Sequence, residues 1–248
     1  MSAISHNTAI TLLAESADYL VVDKPAPLKI HPNIPDGTPT LWGELCALLA
    51  FEIANGGQVS IINRLDRETS GVVLVAKNTA TARRFGLAMM ERRFHKTYRA
   101  IVFGWPSWDE FDLDAPLQRQ GEVRPSAIWV KQCVDESGAA CRTQFRVLQR
   151  VERADGSRFA LLEARPITGR MHQIRAHLLH LGLPVVGDKL YGPDERCYLE
   201  FIETGWTTSL ASRLLLPRQA LHSARLELEG EAVWEAPLPA EFEAFLKD

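Results

Sequence analysis

The chain has 248 residues, 46% of them apolar and 24% charged, with a formal net charge of −3. That length can bury a substantial core, as one large domain or two closely packed lobes. The near-neutral balance excludes a uniformly basic nucleic-acid binder, and the lack of a long uncharged apolar run excludes a membrane-spanning helix. In chain order, Tyr19–Asp23 reads as a strand stopped by Lys24-Pro25-Ala26-Pro27, and residues 31–39, with three prolines and Gly37, read as a loop. Thr40 is placed to cap a helix through Leu41, Leu45, Leu48, Leu49 and Ile53, ended by Asn55-Gly56-Gly57. The apolar run Val72–Ala76, entered through Ser70-Gly71, reads as a strand buried on both faces. Thr79 is the expected cap of a second helix with Ala82, Phe85 and Met89 inward, and His95–Phe103 alternates as a strand with Tyr98, Ala100 and Val102 on one face.

Further on, two alternating runs between Ala127 and Leu148 flank Asp135-Glu136-Ser137-Gly138, a hairpin signal. Strands follow over Arg158–Ala164, Ala220–Leu228 and Ala232–Glu235, and a short helix over Glu241–Lys247. Hairpins outnumber β-α-β units, so the expected fold class is α+β, a mixed and mainly antiparallel sheet with packed helices. No repeat or linker divides the chain, and a single catalytic domain is expected. The N-terminus lacks the basic start and apolar core of a secretory leader. Cys46, Cys133, Cys141 and Cys197 form no CxxC pair and read as free thiols in a reducing cytoplasm.

Charge is unevenly placed. Between Arg64 and Arg99 nine Lys and Arg residues face only Asp66, Glu68 and Glu91, and Asp188 is the one acid among Arg165, Arg170, Arg175 and Lys189. Basic charge in two segments is the footprint of a phosphate-backbone site on an otherwise ordinary protein. For Arg83, Arg84, Arg92 and Arg93 a solvated helix face is the competing reading.

Two stretches carry chemistry. In Asn63-Arg64-Leu65-Asp66-Arg67, a carboxylate stands between two guanidinium groups at the mouth of the buried strand, and opposite charge on both sides favours its ionised form. A nucleophile or general base at neutral pH needs that state; a surface Arg–Asp ion pair is the alternative. The second stretch, Thr168–Leu181, reads as a helix stopped by Gly182 and Pro184. At about 100° per residue from Arg170, the residues Ile174, Leu178, Leu181 and Met171 fall between about 20° and 100°, with Arg175 at about 140°. A guanidinium at the edge of a core stripe is costly to bury without a carboxylate; Asp66 is an obvious candidate partner, and many other acids could serve. His172, His177 and His180 raise a metal reading, but no thiolate or carboxylate completes a ligand set, so no metal is assigned.

Asn-Arg-Leu-Asp-Arg-Glu-Thr-Ser-Gly at 63–71 resembles the HRLDxxTSG signature of the RluA family of pseudouridine synthases. Further blocks stand in the family's order: Lys24-Pro25, Lys96-Thr97-Tyr98-Arg99-Ala100, the run Pro166–Arg175, Gly187-Asp188-Lys189-Leu190-Tyr191-Gly192, and Leu221-His222-Ser223-Ala224. The resemblance covers residues 20 to 228. It implies a pseudouridine synthase fold with a central RNA-binding cleft, and no N-terminal S4-type module. Asp66 becomes the essential aspartate, Tyr98 the aromatic that stacks on the target base, and Arg175 the residue that holds Asp66. Asn63, Arg64, Arg67, Arg170, His172, Gln173 and Ile174 become substrate-side residues. Asn63 stands where the family has His, and Pro27 replaces a glycine.

The implied reaction isomerises specific uridines of ribosomal or transfer RNA without redox change, so no cofactor is expected. The target nucleotide must leave its stack before a carboxylate can reach it. Asp66 would act on the ribose, as nucleophile at the anomeric carbon or as the base that takes a ribose proton. The expected partner is RNA, with no membrane association, in a cytoplasmic monomer. Two other classes are alternatives: a glycoside hydrolase using Asp66 with Glu68, and a non-catalytic RNA-binding relative, which would not need Asp66, Tyr98 and Arg175 together.

Overall fold

The computed structural model describes residues 10–32 and 37–247. Part of the loop expected over residues 31–39, and most of the N-terminal segment expected to lack a leader, lie outside these. In chain order the elements begin with β1 (Thr11–Glu15), β2 (Tyr19–Lys24), α1 (Leu41–Leu48), α2 (Ala50–Ala54), β3 (Ser60–Ile61), β4 (Ser70–Ala76) and α3 (Thr79–Met90). They continue with β5 (Phe94–Phe103), β6 (Glu110–Asp114), β7 (Leu117–Arg119), α4 (Gln120–Val123), β8 (Gln132–Val134), β9 (Arg142–Glu152) and β10 (Arg158–Pro166). Last come α5 (Gln173–His180), α6 (Arg196–Thr204), α7 (Thr208–Leu214), β11 (Leu221–Leu228), β12 (Ala232–Glu235) and α8 (Ala240–Lys247). This is the expected α+β class with a mainly antiparallel sheet; the strand pairs β1–β2, β2–β4, β5–β10, β9–β10, β6–β9 and β11–β12 are antiparallel, and an isolated bridge between Lys29 and Thr40 is parallel.

The chain forms two compact units. The first comprises the chain up to Phe94 together with Ser223–Pro237. Its centre is β4, all seven residues of which are buried, as the unbroken apolar run requires. Strand β2 pairs with β4 from Tyr19 opposite Ala76 to Lys24 opposite Gly71. Helix α3 closes one face through Phe85 and Ala88, packed with Val72, Leu74, Leu226 and Trp234. Gly71 is obligatory for two reasons. Its φ is +115°, and a Cβ there would stand 2.2 Å from the carbonyl oxygen of Ser223.

The second unit comprises His95–His222 and the chain from Leu238 onward. Its strands run β5–β10–β9–β6, with Tyr98 opposite Ala164 and Phe103 opposite Phe159. Ala100, Val102, Leu162, Ile174, Leu178 and Phe242 form its core. The pair β7–β8 stands apart as a small sheet.

Local details depart from expectation in four places. Thr40 caps α1 as expected, its hydroxyl accepting from Gly43 N–H, but Leu48 and Ile53 point outward because the helix breaks at Leu49. Asn78, not Thr79, caps α3 through its side chain to Thr81 N–H. The turn at Asp135–Gly138 forms, yet β8 pairs with β7 while β9 pairs with β6 and β10, so the two runs around the turn are not partners. Helix α5 begins at Gln173 rather than Thr168, for reasons given below.

Candidate active site

In the first unit, the loop Arg64–Thr69 is held from both ends. Asn63 is buried and turned into the sheet: its Nδ2 donates to Val72 O at 2.9 Å, and its Oδ1 accepts from Leu74 N at 2.8 Å. The amide thus extends the β3–β4 ladder like one more backbone unit. That makes Asn63 a frame residue of the loop. Leu65 is also buried, and Thr69 N–H closes the turn onto Asp66 O at 3.1 Å. Arg64 and Arg67 point to solvent on either side of a half-buried Asp66.

The loop's other support went unnoticed in the sequence except as part of a motif. Lys24 is fully buried at the end of β2. Its ammonium donates to the carbonyls of Pro25 (3.0 Å), Leu28 (2.9 Å) and Arg67 (3.2 Å). Leu28 N–H also reaches Arg67 O at 2.9 Å. A buried charge is tolerated only when hydrogen-bonded, so Lys24 fixes the backbone next to Asp66.

In the second unit, Tyr98 is half-buried on β5, packed against the core, opposite the small Ala164. Two residues earlier, Lys96 extends to the loop before α5, its Nζ 3.8 Å from the place a Cβ on Gly169 would occupy. Burial pushes the Lys96 amine below its ordinary range.

That loop is organised by Gln173. Its Oε1 accepts from Thr168 Oγ1 (2.8 Å) and Arg170 N (3.0 Å), and its Nε2 donates to Arg142 O (2.8 Å) and Thr143 Oγ1 (2.9 Å). An amide has two donors and two acceptor lone pairs, and all four are used. Gln173 therefore shapes the loop from inside. These bonds also stop α5 from starting at Thr168. Met171, expected in the apolar stripe, is exposed, whereas Ile174 is buried in the core. Arg170 is exposed, its Nε donating to Ala140 O at 3.2 Å.

His172 adopts φ 56°, ψ 18°, a left-handed conformation that costs a non-glycine residue on the order of 1 kcal/mol or more. Its Nδ1 lies 3.0 Å from the hydroxyl of the fully buried Tyr191, which also accepts from Gln132 N–H at 2.7 Å.

Arg175 is buried, as its place beside the core stripe implies. In its own unit it meets Asp188 through two parallel bonds, Nε to Oδ2 at 2.6 Å and Nη2 to Oδ1 at 2.9 Å. Its guanidinium carbon also lies 4.8 Å over the Tyr191 ring. Burial alone would push the Asp188 carboxyl up; the Arg175 charge and the N–H groups of Tyr191 and Leu190 outweigh it and hold the group below its usual range. In the sequence Asp188 stands out as a lone acid in a basic run and as part of the Gly187–Gly192 block, with nothing to mark it as the partner of Arg175. It sits where Gly187 has φ +76° and a Cβ would meet Arg218 O at 1.9 Å.

Much of the basic charge read from the sequence is internally matched. Arg84 and Arg93 share Glu231, at 2.7 and 2.9 Å, which favours the solvated-face reading for both. Arg99, Arg146 and Arg165 converge on the buried Glu163. Both nitrogens of His177 are committed, Nε2 donating to Ala115 O and Nδ1 meeting Thr143 Oγ1, each at 2.9 Å. Among the described residues no three His, Cys, Asp or Glu side chains are grouped to hold a metal ion, all four cysteines are free, and no helix is long and apolar enough to cross a membrane.

Residues 18–180 match the RNA pseudouridylate synthase family, and the chain belongs to that family. It is 34% identical over 245 residues, 96% of this chain, to ribosomal large subunit pseudouridine synthase D of Pseudomonas aeruginosa. It is likewise 34% identical over 232 residues to an uncharacterized RNA pseudouridine synthase of Chloroflexus aurantiacus. The chain spans 71% and 65% of these two relatives' lengths, about two thirds. Among solved structures, human RNA pseudouridylate synthase domain containing 1 superposes with a TM-score of 0.70 at 26% identity, covering 96% of this chain and 86% of that one.

Proposed function

We propose that the chain converts uridine to pseudouridine in ribosomal RNA, with Asp66 as the essential carboxylate. The observation that carries this reading is the loop Arg64–Thr69, where a half-buried carboxylate is held on a backbone pinned by Asn63 and Lys24. The bond from the ribose anomeric carbon to N1 breaks, the uracil turns over, and a bond to C5 forms. The C5 proton leaves to solvent and N1 regains one, so nothing is oxidised or reduced.

Asp66 acts on the ribose side of this exchange. Tyr98 gives the detached uracil an aromatic wall, and Arg175, its plane fixed by Asp188 and Tyr191, holds the Asp66 carboxylate. Arg64, Arg67 and Arg170 are exposed guanidinium groups suited to phosphates. Ribosomal RNA is preferred over transfer RNA because a relative that this chain matches over 96% of its length is named for the ribosomal large subunit.

The test is release of tritium from RNA carrying tritium at uridine C5, with ribosomal and transfer RNA transcripts in parallel. A synthase releases label to water and leaves the strand intact. Free uracil would mean hydrolysis of the glycosidic bond, and binding without release would mean a non-catalytic relative.

A further inference from the structure

The segment between β7 and β8 carries a feature the reaction does not use. Trp129 is 73% exposed, while its indole lies on the Arg119 guanidinium, 3.6 Å from carbon to ring centroid. Arg119 is itself held by an ion pair with Glu122. Its Nε is buried with no hydrogen-bond partner among the described residues, an arrangement that loses solvation for the sake of the stack. Val123 and Val130, in the same segment, are also exposed, 40% and 38% accessible.

The location narrows what this surface meets. Gln132, whose N–H is held by the Tyr191 hydroxyl, is three residues from Trp129. Three residues of chain reach at most about 11 Å. Tyr191 in turn contacts His172 and lies under Arg175. A pre-ordered indole backed by a cation, with its outer face open, stands a nucleotide's length or two from that constellation.

We propose that the Arg119–Trp129 pair is a stacking platform for an unpaired RNA base flanking the target uridine. Every base presents a π-face, so such a platform tolerates sequence. Arg119 orders the indole before RNA arrives, which lowers the entropic cost of binding. The proposal rests on the reading of the chain as an enzyme acting on RNA.

Its test is equilibrium binding of the full chain to a fluorescein-labelled RNA hairpin with an unpaired uridine-containing loop, and to the same strand annealed to its complement. Trp129→Ala should weaken hairpin binding by about 5- to 140-fold, the range a lost base stack gives. It should leave duplex binding and the salt dependence of hairpin binding unchanged, because no phosphate contact is removed. Trp129→Phe should retain most of the affinity. Wild-type hairpin affinity in Trp129→Ala overturns the platform and leaves the indole to a protein surface. If that variant binds normally while the wild type releases tritium, the platform alone falls. If the wild type neither binds RNA nor releases tritium, the functional reading falls and takes the platform with it.

Discussion

Arg175 and Asp188 form a two-pronged pair inside the second unit, 2.6 and 2.9 Å, with Asp188 fully buried and two backbone N–H groups completing its Oδ1. Removing one side of such a pair strands a desolvated charge. Asp188→Asn should therefore cost about 3–5 kcal/mol of unfolding free energy, read from urea titration. Replacing both partners at once, Arg175→Met with Asp188→Leu, should restore part of the stability but no tritium release, since the proposed hold on Asp66 is gone. Wild-type stability in Asp188→Asn would show that the pair is not the frame of the helix start.

Asp66→Asn isolates charge from shape. The amide is isosteric with the carboxylate and cannot serve as nucleophile or base. Tritium release should vanish while the urea midpoint and RNA affinity stay close to wild type. Substantial residual turnover in the purified variant would remove Asp66 from the chemistry.

Lys24 acts one step back from the reaction. Lys24→Met keeps the stem's volume and deletes the donors to Pro25, Leu28 and Arg67, leaving buried carbonyls without that partner. The cost should be at least about 2 kcal/mol, and turnover should fall with loop order even though Lys24 is placed away from the reacting atoms. A positioning role predicts a lower kcat at nearly constant RNA affinity; an unchanged kcat in a folded variant would reject it.

What could be read from residues alone follows from how local each signal is. Strands β2, β4, β10, β11 and β12 and helix α8 lie within a few residues of where runs and alternation place them, because burial on one or both faces imposes those patterns directly. The Asp66 loop and the Arg175 helix were legible as motifs. Their supports were not. Lys24 reaches Arg67 across 43 residues, and Glu231 lies 147 and 138 residues from the arginines it pairs with. Nothing in the local pattern marks such partners. The late start of α5 is a different case: Thr168 to Met171 has helical periodicity, but the Gln173 side chain captures Thr168 and the Arg170 N–H and wins locally. Helices α6 and α7 carried no expectation, although Thr207 caps α7 by accepting from Leu210 N–H; α6 lacks such a signal, its N-cap Glu195 making no side-chain bond.

The last prediction concerns acid. His177 is fully buried beneath β9, with Nε2–H donating to Ala115 O and Nδ1 accepting from the Thr143 hydroxyl, so its neutral form satisfies both partners. Burial lowers its pKa below the ordinary 6.5, against a smaller opposing effect of the Ala115 carbonyl. Between the folded and unfolded values the unfolded chain binds the extra proton, and stability then rises with pH. The contribution is thus complete above about pH 6.5 and is lost as pH falls from there toward the depressed folded value. Asp188 adds nothing in that window, because its folded pKa lies below the ordinary 3.8 and its own loss begins only in stronger acid. Urea unfolding of the wild type from pH 7 down to pH 5 should show a slope from this residue of up to about 1.4 kcal/mol per pH unit. His177→Gln supplies an amide donor toward Ala115 and an acceptor toward Thr143 without a titrating group. It should flatten the slope while keeping most of the stability at pH 7. A slope in that variant equal to the wild type's would assign the acid sensitivity to another residue.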